Sequence, residues 1–190
     1  MSSILLHQTA LPLLRLVVGG ALLIGATACA RSDKKEVALA NLVAKNDFES
    51  VEGWGVSSAS LTTAEAHSGR YSVKVDPAIE YSIGYRNTLL RVSDIRIKKL
   101  HVHGWVRLSS FKAKAVLVMQ VTNPDKGGEQ VYWQAFDVRS QVKTINRWTQ
   151  VDQDFDLPNA VSANHELRVY MWRTGPEDTV YLDDLEISKE

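Results

Sequence analysis

Leu100-His101-Val102-His103-Gly104-Trp105-Val106-Arg107-Leu108 alternates with a period of two. In an extended chain successive side chains point to opposite faces. Leu100, Val102, Val106 and Leu108 therefore share one face, and His101, His103, Trp105 and Arg107 share the other. Such a strand has one side on a core and one side toward water. The pattern recurs outward along the chain. Residues 71–75 (YSVKV) alternate, and residues 167–172 (LRVYMW) set Leu167, Val169 and Met171 against Arg168, Tyr170 and Trp172. Residues 115–121 (AVLVMQV) are almost continuously apolar, as a strand in the middle of a sheet is. Residues 130–136, 148–157 and 179–187 read as three further strands. Turn signals separate them at His67-Ser68-Gly69, Asn123-Pro124-Asp125-Lys126-Gly127-Gly128, Leu157-Pro158-Asn159 and Thr174-Gly175-Pro176. No helical period longer than two turns follows Asn46. Short strands at this spacing over residues 46–190 predict an all-β domain, a sandwich or barrel with one core. A domain of that length folds without disulfides.

Composition narrows the chemistry. The chain has 22 Lys+Arg against 22 Asp+Glu, so it lacks the cation excess that a nucleic-acid partner requires. Its one cysteine, Cys29, allows neither an internal disulfide nor a multi-Cys metal site. Residues 16–28 (LVVGGALLIGATA) are apolar, follow Arg15 and end in small residues, and no Asp or Glu precedes Asp33. That is the pattern of a secretory signal peptide. Thirteen residues fall short of the about 20 that a helix needs to span a bilayer. The apolar residues before Arg15 (Ile4, Leu5, Leu6, Leu11, Leu13, Leu14) leave an uncleaved anchor as the alternative. Ala26-Thr27-Ala28-Cys29 resembles the lipobox of bacterial lipoproteins, although Ala26 stands where Leu is usual. The resemblance implies that residues 1–28 are removed and that Cys29 is acylated, placing an exported protein on a cell-envelope membrane. The alternative is an ordinary cleavage site beside an incidental Cys. A lone thiol in an oxidising compartment favours lipidation. Residues 29–45 then read as the lipidated Cys and a tether, and residues 46–190 as the domain; all fifteen aromatic residues follow position 28.

Five landmarks in the domain carry a further resemblance. They are Asn46-Asp47-Phe48-Glu49 with Gly53-Trp54; Ala66 to Val73; Leu100 to Arg107; Trp148, Val151, Phe155 and Pro158; and Val180-Tyr181-Leu182-Asp183-Asp184-Leu185. In this order they resemble the carbohydrate-binding modules of the galactose-binding-like jelly-roll type. The resemblance implies a jelly-roll β-sandwich, a poly- or oligosaccharide partner and, in many such modules, a structural Ca²⁺ ion. The positions matching its ligands are Glu49 and Asp183, with Asp184 as the alternative carboxylate and carbonyls around residues 68–71. Calcium takes such hard oxygen donors. The other reading makes Glu49 and Asp183 ordinary strand-end carboxylates.

Sugar rings offer flat C–H faces to aromatic rings and a rim of hydroxyls to polar side chains. If the two alternating strands share a sheet, His103, Trp105, Arg107, Arg168, Tyr170 and Trp172 make one outward aromatic and basic surface. Either Tyr132 or Trp133 extends it, and Tyr81, Tyr85 and Arg86 supply a rim. The competing reading is that loops or the tether cover these rings. Other motifs carry less. His101-x-His103 has metal-ligand spacing, but residues 104–111 contain no carboxylate. Asp152-x-Asp154-x-Asp156 lacks the Gly and distal Glu of a calcium loop. There is no nucleophile elbow and no phosphate cradle. The expected function is non-catalytic carbohydrate binding by a lipid-anchored protein. The rivals are an envelope scaffold or protein-interaction module and, behind it, a glycan-active enzyme. The sequence leaves the oligomeric state open.

Overall fold

The computed structural model describes residues 40–55 and 59–190. The predicted signal peptide, the acylated Cys29 and the first part of the tether lie outside these residues. Among the described residues no helix is long and apolar enough to cross a membrane.

Ten strands follow one another: β1 Leu42–Asn46, β2 Leu61–Thr62, β3 Ser72–Val75, β4 Tyr85–Thr88, β5 Lys99–Leu108, β6 Ala115–Asn123, β7 Glu129–Asp137, β8 Thr149–Asp156, β9 Glu166–Arg173 and β10 Val180–Lys189. One helical turn, α1 Leu89–Val92, follows β4. The strands form two antiparallel sheets. The six-stranded sheet runs β2-β3-β10-β5-β8, with β1 pairing the second half of β10, and the four-stranded sheet runs β4-β9-β6-β7. The chain is thus the β-sandwich that the strand pattern allowed, with the jelly-roll form that the resemblance implied.

The core lies between the sheets, where period-two alternation puts its apolar residues. Leu100, Val102, Val106 and Leu108 of β5, with Leu182, Leu185 and Ile187 of β10, face Leu117, Met119 and Val121 of β6 and Leu167, Val169 and Met171 of β9; all are at most 1% exposed. Each fully buried Leu or Ile contributes about 1.5–3 kcal/mol of transfer free energy, so the fold rests on this layer rather than on any single ion pair.

Two expectations need correction. The expected tether runs to residue 45, yet Leu42–Asn46 is strand β1, paired with Leu185–Ser188. Only half of β10 has β3 beside it, so the other half has open backbone donors and acceptors that β1 satisfies. More consequentially, β5 belongs to the six-stranded sheet and β9 to the four-stranded sheet. His103, Trp105 and Arg107 therefore project from one side of the sandwich, and Arg168, Tyr170 and Trp172 from the other. Strand parity is as expected on both, but one continuous surface does not exist.

Candidate functional site

The outer face of the four-stranded sheet carries a continuous aromatic surface. On β9, Arg168, Tyr170 and Trp172 alternate with buried Leu167, Val169 and Met171. On β6 and β7 the register sets Gln120 opposite Trp133 and Arg168, and Val118 opposite Ala135 and Tyr170. Trp133 is 41% exposed, whereas Tyr132 packs against the core. That settles which of the adjacent pair extends the surface. The fourth ring comes from outside the sheet ladders: Tyr81, 51% exposed, bridges to Trp172. Ser82 donates its N–H to the Met171 carbonyl, and Arg173 donates its N–H to the Glu80 carbonyl, each at 2.9 Å.

Gly84 permits this approach. A Cβ there would lie 2.2 Å from the Val169 oxygen and 2.6 Å from the Tyr170 Cβ. Only glycine lets the segment before β4 lie flat against β9. The rings then meet in series. Trp133 and Trp172 are edge to face at 6.3 Å, Trp172 and Tyr81 are nearly parallel at 6.0 Å, and Tyr81 and Tyr170 are edge to face at 5.9 Å. The Trp172 Nε1–H donates to Glu80 Oε1 at 3.2 Å, fixing the indole plane.

Beside the rings lies a cleft of about 430 Å³ lined by Trp54, Tyr81, Tyr85, Arg86, Gln120 and Arg168 among others. Trp54 is held there by edge-to-face contacts with Phe48 and Tyr85 at 6.1 and 5.4 Å. Glu166 orders its cations. Arg86 Nε donates to Glu166 Oε2, and Arg168 Nε and Nη2 donate to Oε1, each at 2.7 Å. Burial alone would raise the Glu166 carboxyl, but the two arginines overcome that cost and leave it below its ordinary value. Glu80 raises the Tyr81 phenol by accepting its hydrogen bond. Of the expected rim, Tyr81 and Arg86 are exposed, whereas Tyr85 is buried in the core although it lines the cleft. Gln120, Trp54, Glu80 and Glu166 are additions that the alternation left unassigned. Glu166 stands two residues before Arg168 on the same strand face, which is the signal that would have found it.

The other face differs in kind. The His67 ring stacks on Trp105 at 3.9 Å with an interplanar angle of 13°, and meets Trp148 edge to face at 5.8 Å. His67 Nδ1 is held by Asp184 Oδ2 at 2.6 Å. Arg107 pairs with Glu65 at 2.9 Å and lies over the Tyr181 ring at 5.9 Å. His103 bonds Asp152 at 2.9 Å, while His101 bonds Asp154 at 2.7 Å. Trp105, Arg107 and His103 are thus engaged by the 65–68 loop and by β8. They do not join the aromatic surface.

Glu49 and Asp183 meet one and the same turn. Glu49 Oε1 accepts the N–H groups of Arg70 and Tyr71 at 2.6 and 2.7 Å. Asp183 Oδ2 accepts those of His67 and Ser68 at 2.7 and 3.2 Å, and Oδ1 that of Asp184 at 2.7 Å. A bulge in the β10–β5 register, with Asp184 in the left-handed region at φ 47°, turns both aspartates toward this turn. Burial holds the fully buried Asp183 carboxyl above its ordinary range, although the three N–H donors oppose it. Both carboxylates thus accept N–H groups of the turn. Among the described residues, no group of three or more His, Cys, Asp and Glu is arranged to hold a metal ion.

Comparison with known proteins agrees with this architecture. The CBM22-1 xylan-binding domain from Paenibacillus barcinonensis Xyn10C superposes with a TM-score of 0.51 at 19% identity, covering 78% of this chain and 94% of that one. The CBM22-1–GH10 modules of Clostridium thermocellum xylanase Xyn10B, complexed with xylohexaose, give a TM-score of 0.54 at 13% identity, covering 79% and 28%. At these identities the likeness is one of fold. No curated protein matches the sequence. The sequence profile of the carbohydrate binding domain family matches residues 40–179, which include strands β1 to β9 and the whole of the aromatic surface. The chain belongs to the carbohydrate binding domain family.

Proposed function

We propose that the chain is a non-catalytic module that binds a xylan-type polysaccharide along the outer face of the four-stranded sheet, held at a bacterial envelope membrane by acylated Cys29. The carrying observation is the series Trp133, Trp172, Tyr81 and Tyr170, whose adjacent centroids are 5.9 to 6.3 Å apart. Large rings exposed on a soluble surface mark a binding site. Gln120, Arg86 and Arg168 border the rings and can hydrogen-bond sugar hydroxyls. A neighbour with the same fold is a xylan-binding domain, which supports the choice of glycan class. Affinity electrophoresis of the chain in gels containing xylan tests it: retardation is expected, and equal mobility with and without xylan contradicts it.

Chemistry at this face argues for binding without turnover. A glycosidase needs a carboxylic acid that keeps its proton near neutral pH, opposite a second carboxylate. Glu166 is held ionised by two arginines, the reverse of what a general acid requires. Glu80 is engaged by Trp172 Nε1. We also infer that the turn at residues 67–71 is clasped by the N–H groups it donates to Glu49 and Asp183 and holds without calcium.

A further inference from the structure

Among the described residues five large hydrophobic side chains are exposed, and two of them, Tyr81 and Trp133, belong to the aromatic surface. Phe111 stands alone in the loop after β5. The remaining pair, Leu90 at 64% and Ile95 at 71%, is the most exposed of the set and has no role in glycan binding. Both lie in the short segment between β4 and β5, at one end of the sandwich. Lys189 Nζ bonds the Val92 carbonyl and Ser93 Oγ at 3.5 and 3.2 Å, and Leu42 pairs with Ser188. The chain therefore enters the domain at the end where Leu90 and Ile95 are exposed. Arg91, Arg96 and Lys98 are exposed in the same segment. Arg96 bonds Asn159, and neither Arg91 nor Lys98 makes an ion pair among the described residues. The acids at this end are Asp94, Asp154, Asp156, Glu166 and Glu190; Asp154 and Glu190 lie 3.6 and 3.7 Å from Lys99, Asp156 stands opposite Lys99, and Glu166 is paired with Arg86 and Arg168.

We propose that this end docks on an anionic phospholipid surface, with Leu90 and Ile95 entering the headgroup layer and Arg91, Arg96 and Lys98 meeting lipid phosphates. The inference rests on the anchor at Cys29. From Cys29 to residue 40 the chain has 11 residue steps, with a reach of at most ~40 Å when extended, so an acylated Cys29 keeps this end near the bilayer. A single acyl chain holds a protein only marginally, and a basic, apolar patch is the kind of second contact that makes attachment stable. Docking by this end leaves the glycan surface free. Glu166 opens β9 opposite Thr88, at the membrane end, and Trp172 lies six residues further along, about 20 Å away.

Hydroxyl-radical labelling tests the proposal, since it reports the exposure of aliphatic and aromatic side chains separately. The full chain is coupled through Cys29, its only thiol, to maleimide lipids in phosphatidylcholine–phosphatidylglycerol vesicles, and compared with the uncoupled chain in solution. Labelling of Leu90 and Ile95 is expected to fall about threefold or more on the vesicles while Phe111 labels as before, because burial in the headgroup layer shields only the docked end. The triple variant Arg91→Glu/Arg96→Glu/Lys98→Glu is expected to restore labelling. Unchanged labelling of Leu90 and Ile95 overturns the proposal, as does equal protection on pure phosphatidylcholine or in the triple variant. Coupling replaces the natural acyl group, so this result is separate from that of the anchor. A mass spectrum of membrane-extracted protein with an unmodified Cys29 overturns the anchor instead.

Discussion

Trp172 and Trp105 each alternate with buried aliphatics on a long strand, yet their surroundings assign them opposite work. Trp172 is oriented by Glu80 and flanked by two exposed rings. Trp105 lies under the His67 ring at 3.9 Å. Removing Trp172 should weaken xylo-oligosaccharide binding by about 10- to 30-fold, or about 1.4–2 kcal/mol, as for a central aromatic at an interface. Calorimetric titration checks this, and an affinity within twofold of wild type (about 0.4 kcal/mol) would remove Trp172 from the site. Glu166 carries a pH prediction. Its folded value lies below its ordinary 4.5, so the stability it contributes is fully present above 4.5 and is lost as pH falls through the lowered value. Thermal melts of wild type and Glu166→Gln should differ by a constant amount above that pH and converge below it. A gap that persists in acid would mean that the carboxylate is not held by Arg86 and Arg168.

At the scale of elements, the six long strands β5 to β10 and the short β3 were legible because period-two alternation is a direct imprint of burying one face. Observed β5, Lys99–Leu108, extends the expected residues 100–108 by one position, and β9, Glu166–Arg173, extends 167–172 by one at each end. The short strands β1, β2 and β4 were not legible. Asn87 and Thr88 in β4, and the two residues of β2, carry no apolar alternation, and their pairing comes from partners far along the chain. The turn at 67–71 is held by such distant partners as well. Asp183→Ala would strand the N–H groups of His67, Ser68 and Asp184. The expected cost is about 3 kcal/mol, the order of one to three unmade buried hydrogen bonds, and a fall in Tm of about 6–12 °C. Differential scanning calorimetry reads it. The same instrument tests the metal-free clasp: Tm should be the same in excess EGTA and excess calcium, and a rise with calcium would make Glu49 and Asp183 metal ligands after all. Gly84→Ala belongs to this scale too. It should push the 80–85 segment off β9 and weaken glycan binding through Tyr81 although no ring is changed, since the added Cβ meets backbone 2.2 Å away; unaltered affinity would show that the segment does not position Tyr81.

The molecule as a whole presents two faces and a basic, apolar end. Alternation correctly put polar and aromatic residues outside on β5 and β9, but a period of two says only inward or outward. It does not say which sheet a strand joins. Sheet membership is decided by non-local pairing, here β5 with β8 and β10, and β9 with β4 and β6. That is why His103, Trp105 and Arg107 were grouped with Arg168, Tyr170 and Trp172, and why the structure separates them. The face of the four-stranded sheet keeps the exposed rings, while the face of the six-stranded sheet is closed by the 65–68 loop and its ion pairs. The direct test is a paired titration with a xylo-oligosaccharide of Trp172→Ala and Trp105→Ala, each shown to be folded by circular dichroism. Binding should drop at least tenfold (about 1.4 kcal/mol) in Trp172→Ala and stay near wild type in Trp105→Ala, whose loss appears in Tm; the opposite pattern, affinity lost with Trp105 and kept without Trp172, would put the glycan on the other face.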